Sequence, residues 1–190
     1  MASVLTISLG GSNYPMPLTK KALDKVGRMW RKNARISLRK QDRINTGTLY
    51  DSIPVKVYEG LKDYVVDITP EVPYWAYVDK GVQGASRNIF PDQSLSPFKF
   101  GSGKGGRGLR GAIDKWVVQR GLEGTRDKQG RFISRQSMTF LITRAIWNRG
   151  LKPSLFITRT KQNIQKHVVK TIAPAISKDV ANAMRKELKF

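Results

Sequence analysis

The chain has 190 residues, of which 39% are hydrophobic, so it is long enough to bury one core and is not compositionally disordered. It contains no cysteine, which excludes disulfides, thiolate metal sites and cysteine nucleophiles. Its 35 Lys and Arg residues against 14 Asp and Glu give a formal net charge of +21, so copies of the chain repel one another unless an anionic partner offsets the charge.

Hydropathy gives no sign of a membrane segment. No apolar run approaches the roughly 18 residues of a transmembrane helix, and the first residues lack the basic flank and long apolar core of a signal peptide. We therefore expect a protein that has no membrane partner and stays inside the cell that makes it. At this length one domain over residues 1–190 is the default expectation.

Positive charge is concentrated in two stretches. The segment from Lys128 to Lys178 contains eleven Lys or Arg residues and no acidic residue. Between Asp92 and Asp114 there are four more cations: Lys99, Lys104, Arg107 and Arg110. Stretches of one sign favour a polyanionic partner, because a face laced with salt bridges alternates in sign. A solvated basic face without a partner is the alternative.

The first half of the chain reads as a strand, a long helix and a hairpin. Alternation over residues 3–9 predicts a strand within an N-terminal arm over 1–12. Apolar residues at helical spacing over 17–39, with Lys and Arg covering the other faces, predict a long helix. Alternation on both sides of Gly60 predicts a hairpin with one buried face. Because Pro54 cannot donate a ladder hydrogen bond, its strand should be an edge strand or start there.

The second half is predicted to be an extended loop followed by helices. Residues 82–111 are rich in Gly, Ser and Pro, which indicates a long glycine-rich loop. Short helices are then expected, one stopped by Gly121 and one by Gly150. A C-terminal helical extension covers 160–190, where Pro174 predicts two helices or one bent helix. The fold class is therefore α+β: an antiparallel sheet packed against a long N-terminal helix, with additional C-terminal helices.

Signals for catalysis, metals and cofactors are weak. His167 has no Ser, Cys or carboxylate near it in sequence, so a partly buried structural role is favoured over catalysis. Asp63 and Asp67 form a close acidic pair with no second cluster, so no metal site is predicted. The glycines at 101, 103 and 106 fit a dinucleotide-binding pattern, but no apolar strand precedes them. We expect neither an enzyme nor a cofactor.

Two groups of residues are candidates for contacts with partners. The cations Lys99, Lys104, Arg107 and Arg110 of the glycine-rich loop are able to contact DNA phosphates or an acidic protein surface. An unbound surface loop is the alternative. Aromatic residues cluster in a short segment at Tyr74, Trp75 and Tyr77, where either a subunit interface or core packing would account for them.

Three motifs follow one another along the chain. They are Asn45-Thr46-Gly47-Thr48-Leu49-Tyr50-Asp51-Ser52-Ile53, then Tyr74-Trp75-Ala76-Tyr77-Val78-Asp79-Lys80-Gly81, then Arg149-Gly150-Leu151-Lys152-Pro153-Ser154-Leu155-Phe156. In this order, after a basic helix and around a hairpin, the motifs resemble those of the neck and tail-completion proteins of long-tailed bacteriophages, a family of head-tail joining and minor tail proteins. The resemblance spans roughly residues 18 to 160, and Thr46, Gly47, Leu49 and Ser52 carry its first turn.

The resemblance implies a structural virion protein of the phage neck, assembled in the bacterial host cytoplasm. Members form homo-oligomeric rings, hexameric or dodecameric, that join the portal or adaptor of the DNA-filled head to the tail tube or tail terminator. They surround the DNA exit channel, so non-specific contact with genomic DNA is expected. Charge alone supports an alternative, a sequence-independent nucleic-acid-binding protein, although no helix-turn-helix, RNA-recognition or zinc-finger signature is present.

Overall fold

A computed structural model describes residues 4–8, 15–60, 63–101, 108–122 and 125–188. Contacts divide the chain into two compact units: unit 1 is Met1–Asp79 with Ser154–Phe190, and unit 2 is Lys80–Pro153. The expectation of a single domain over 1–190 stays a prediction. In chain order the elements are β1 (Val4–Ser8), α1 (Pro17–Lys40), α2 (Thr48–Asp51), β2 (Lys56–Glu59), β3 (Asp63–Asp67), α3 (Trp75–Lys80), β4 (Val82–Gln83), α4 (Leu109–Gln119), α5 (Arg135–Arg149), β5 (Gly150–Leu151) and α6 (Thr158–Glu187).

Unit 1 has an α+β fold in which α1 packs against a three-stranded antiparallel sheet and against α6. The strand order is β1-β3-β2, so the predicted hairpin of β2 and β3 is confirmed. The strand β1 pairs with the other side of β3. Val66 of β3 lies between Leu5 and Val57 in the register, which gives the sheet one apolar face. Pro54 precedes β2, an edge strand, and therefore removes no ladder hydrogen bond.

In unit 1 the helices α1 and α6 pack against each other. Trp30 of α1 is fully buried, and its indole Nε1 donates a hydrogen bond to Thr160 Oγ1 of α6 at 3.2 Å. Gly27 allows α1 to approach the sheet, because a Cβ there would lie 3.0 Å from Val66 Cγ1 of β3 and 2.5 Å from Val55 Cγ1, just before β2. The predicted helix over 17–39 is thus confirmed, with Pro17 in its first turn as helix geometry favours.

The C-terminal segment forms one helix, α6, with Pro174 inside it. The alternative of two separate helices is therefore wrong. Ile172 is buried and Ile176 packs against the core, so apolar contacts on both sides of the proline hold the helix while Pro174 itself faces solvent. Because α6 also buries Ile164 and Val168, it belongs to the core of unit 1.

Unit 2 combines the β4-β5 ladder with the helix pair α4 and α5. Within the predicted loop over 82–111, the described residues 82–101 are organised around the buried side chain of Gln93. Its amide Nε2 donates to the carbonyls of Val82 and Arg149, both at 2.7 Å, and its Oε1 accepts from the backbone N of Ile89 and Phe90. The described part of the predicted loop is thus held by the hydrogen bonds of one buried glutamine, and α4 begins at Leu109, before the predicted end of the loop at 111.

Candidate functional site

The first motif forms a tight turn that leads into α2. Gly47 has φ +85°, a left-handed conformation that glycine adopts without steric cost. Leu49 is buried, and Ser52 Oγ donates a hydrogen bond to the Leu49 carbonyl at 3.0 Å. Thr46 Oγ1 and Thr48 Oγ1 lie 2.8 Å apart. The motif residues thus have identifiable structural roles in fixing the turn.

The first and second motifs meet at one cavity in unit 1. The motif cavity, as we call it, has a volume of about 250 Å³ and is lined by residues 43–50 together with Tyr74 and Val78. Partial burial lowers the pKa of the Arg43 guanidinium, which lies on this cavity, and the nearby Asp42 opposes the shift. Arginine nevertheless remains charged at physiological pH, so the cavity has a cationic wall.

The aromatic segment divides between the core and the surface. Trp75 is 9% exposed and belongs to the core of unit 1, which favours the core alternative for this residue. Tyr74 and Tyr77 are 42% and 46% exposed. A subunit interface at the two tyrosines stays a prediction. Their exposure supports it, since large amphipathic rings on a surface are typical of such contacts.

The third motif begins in unit 2 and ends in unit 1. Gly150 has φ +77°, and a Cβ at this position would lie 2.1 Å from the Val82 carbonyl oxygen, so only glycine fits. Ser154 Oγ donates to the Val78 carbonyl at 2.7 Å, and Phe156 is fully buried in the core. The second and third motifs are therefore linked by a hydrogen bond within unit 1.

A concave basic surface runs along α1 beside the motif turn. This basic groove has a volume of about 440 Å³ and is lined by Arg28, Arg31, Lys32, Arg35, Ile36, Arg39 and Tyr50. Five of its seven lining residues are cationic and none is acidic. Such a concentration of one sign in a concave surface raises the local positive potential and attracts anions.

Tyr50 of α2, in the first motif, orients two of these cations. The guanidinium carbons of Arg35 and Arg39 lie 4.7 Å and 5.7 Å from the Tyr50 ring centroid. Arg35 Nε donates to the Tyr50 carbonyl at 2.9 Å, and Arg39 Nη2 donates to the Tyr50 hydroxyl at 3.3 Å. Neither contact neutralises a charge, so both side chains are oriented but remain available to an anion.

Most of the groove charge is uncompensated. Arg28 pairs with Asp24 at 2.6 Å. Among the residues that the structure describes, no carboxylate lies within 4.0 Å of the cationic nitrogens of Arg31, Lys32, Arg35 or Arg39. The signal was present in the sequence as cations recurring every three or four residues, but counting charge by segment rather than by helix face missed it.

The cations predicted in the glycine-rich loop are only partly described. Lys99 is exposed and its backbone forms a bridge with Gln83, while Arg110 is exposed in the first turn of α4. Lys104 and Arg107 lie outside the described residues, so a contact with DNA or an acidic partner through these four cations stays a prediction. His167 is exposed on α6, so the expectation of a partly buried position is wrong.

The described residues contain no group of three or more His, Cys, Asp or Glu side chains arranged to hold a metal ion. No helix among them is both long and apolar enough to cross a membrane. A scan against protein-family models gave no match, and neither curated proteins nor solved structures gave one.

Proposed function

We propose that this protein is a structural subunit of the neck of a long-tailed bacteriophage, where it joins the DNA-filled head to the tail. One observation carries the proposal: the first two of the three ordered motifs line a single cavity, with Gly47 and Tyr74 on its wall. The adjacency in space of motifs that are distant in sequence supports a shared structural role. It does so more strongly than the sequence patterns alone, which are short and degenerate. In this role the protein is not an enzyme and needs no cofactor.

The subunit would act through its shape. A rigid body of sheet and helices supplies the wall of a homo-oligomeric ring, hexameric or dodecameric by resemblance, between the portal or adaptor and the tail tube or tail terminator. The exposed ring of Tyr74 on the motif cavity and the exposed ring of Tyr77 in the same motif suit a contact with a neighbouring subunit or ring. A net charge of +21 suits a wall that surrounds departing DNA.

Complementation tests this function. Lysates of a phage genome that lacks the gene receive purified wild-type protein, Tyr74→Ala or the control Tyr58→Phe, and infectious particles are counted. Wild type and control should restore infectivity, whereas Tyr74→Ala should restore far less because it removes an exposed ring at the cavity without emptying the core. Full infectivity without the protein would contradict the proposal.

The second candidate is a sequence-independent nucleic-acid-binding protein, and the uncompensated charge of the basic groove favours it. The two functions differ in what they require. Free nucleic-acid binding weakens steeply with salt, since it depends on release of counterions from phosphates. A ring subunit should instead associate with its neck partners after nuclease treatment, which sedimentation of the treated lysate would measure.

A further inference from the structure

We propose that the basic groove of α1 is a binding site for the phosphate backbone of double-stranded DNA. Four of the five groove cations belong to a longer row of cations on α1, and the fifth, Arg31, lies beside that row. The six cations of the row follow one another at steps of four and three residues along the helix: Lys21, Lys25, Arg28, Lys32, Arg35 and Arg39. Side chains at this spacing share one face of an α-helix.

This face is opposite the buried one. At 100° per residue, the six cations fall within an arc of about 80°, centred nearly half a turn from the buried stripe of Leu23, Val26, Trp30 and Ala34. Lys21 and Arg39 are eighteen residues apart, so the row is about 27 Å long. The buried stripe holds α1 against the sheet and α6, so the row of cations faces away from the core.

The length and charge of the row suit duplex DNA. A duplex carries about one negative charge per 1.7 Å of axis, so a row of about 27 Å can meet several phosphates on one strand edge. Contacts of this kind position a protein without reading sequence. The groove also contains Arg35 and Arg39 already oriented by Tyr50, which reduces the side-chain entropy lost on binding.

A protein partner fits the same face less well. Protein interfaces have an apolar centre depleted in charge, but in the basic groove Ile36, at 41% exposure, is the sole aliphatic lining residue. Single-stranded nucleic acid is also less suitable, because it is usually held by exposed aromatic faces. Here the Tyr50 ring is covered by the Arg35 guanidinium. We therefore assign the groove to the duplex backbone.

Binding by the purified protein does not require the neck function. That the bound DNA is the genome leaving the head rests on the proposed function. Failure of the two ideas can be told apart: a variant that loses DNA binding but still joins heads to tails would leave the neck function intact. If the purified protein bound DNA through the groove but deletion of its gene caused no neck defect, the groove assignment would stand and the neck function would be contradicted.

The test compares two triple variants of the full chain with equal charge change. The groove variant combines Arg31→Gln, Lys32→Gln and Arg39→Gln. It keeps Arg35, and so keeps the hydrogen bond from Arg35 Nε to the Tyr50 carbonyl. The control is Lys166→Gln with Lys170→Gln and Lys178→Gln on the exposed face of α6. Circular dichroism verifies folding, and fluorescence anisotropy measures binding to a labelled duplex of about 30 base pairs over a series of salt concentrations.

For the groove variant, the slope of log K against log salt should become shallower by about 2.7, since each lost phosphate contact removes about 0.9. Its affinity near physiological salt should fall by about a hundredfold, and the control should change by less than about threefold. Equal losses in both variants would overturn the assignment in favour of diffuse attraction. If poly-glutamate bound the wild type through the groove while the duplex did not bind, an acidic protein would be the partner and the assignment would be wrong.

Discussion

Asp179 of α6 caps the start of α1 through Thr19, which lies 160 positions away in the sequence. One carboxylate oxygen accepts hydrogen bonds from Thr19 N at 2.7 Å and Thr19 Oγ1 at 2.8 Å, and the other accepts from Leu18 N at 3.2 Å. The residue preceding α1, Met16, makes no side-chain cap. The final helix therefore supplies the cap that the first helix lacks, and a carboxylate there also complements the helix dipole.

Replacing Asp179 with Ala should destabilise unit 1. The change leaves buried backbone donors of α1 without an acceptor, which costs about 1–3 kcal/mol, and more if Thr19 Oγ1 finds no partner. Urea denaturation followed by circular dichroism measures the free energy of unfolding. The matched control, Asp24→Ala, breaks an exposed ion pair with Arg28 and should cost at most about 1 kcal/mol. Equal losses for the two variants would show that the distant cap is not significant.

A similar relationship joins Asp79 to the start of α6. Its carboxylate accepts from Ile157 N at 2.8 Å and from Thr158 Oγ1 at 2.6 Å, and Ile157 itself provides no side-chain cap. Asp79 also belongs to the second motif, Tyr74 to Gly81, so this motif has a structural role beyond its aromatic rings. Asp79→Asn keeps one acceptor oxygen and should cost less than Asp79→Ala, which loses both; the difference in urea midpoint checks this order.

The glycine at position 150 should not tolerate a side chain. Gly150→Ala would place Cβ 2.0 Å from Gln93 Nε2 at a φ of +77°, so the Gln93 hydrogen-bond network must break. We expect a loss above about 3 kcal/mol in the stability of unit 2. Gly111→Ala is the control, because this helical glycine of α4 has open space around it and the change should stabilise by about 0.5–1 kcal/mol. Limited proteolysis compares the two variants.

Tyr64 should make stability depend on alkaline pH. Burial, with a hydrogen bond to the Glu59 carboxylate at 2.9 Å, raises the pKa of Tyr64 to about 12 from 10.0. A folded-state pKa above the unfolded value gives stability that is complete below pH 10.0 and is lost as pH rises through about 12. Urea unfolding across that range should show the loss in wild type and less of it in Tyr64→Phe. Tyr58→Phe, at an exposed position on β2, should behave as wild type.

Hydrogen exchange should distinguish the two units. Among the described residues of unit 2, two valines, Val82 and Val117, are buried and no aromatic side chain is, whereas unit 1 buries an extensive core. Regions with few buried apolar contacts open at lower free energy. Peptides from α4 and α5 should therefore exchange before peptides from α1 and α6 in mass spectrometry. Uniform exchange across all four helices would contradict this expectation.

Local periodicity predicted the elements better than their partners. The stripe on α1 and the alternation around Gly60 specify a helix and a hairpin within short windows, and both are present. The pairing of β1 with β3, with Leu5 opposite Val66, joins distant segments and has no local signal. The caps from Asp79 and Asp179 are equally non-local, so no spacing rule would have found them.

The candidate functional site was predicted only in part. The motif residues Thr46, Gly47, Leu49 and Ser52 form the expected turn, and glycine at position 47 follows directly from the positive φ. The basic groove was missed because charge was counted by segment rather than by helix face, and because Tyr50 reaches the groove from a different element, α2. Sequence identified the cations of α1, but only the fold shows which of them share a concave surface.

Negative-stain electron microscopy of lysates from a phage genome lacking this gene tests the central claim most directly. The proposed neck function predicts DNA-filled heads separated from finished tails, with joined particles restored when the wild-type protein is added. Normal joined virions in the absence of the protein would contradict it, and altered DNA content in those virions would favour the nucleic-acid-binding function.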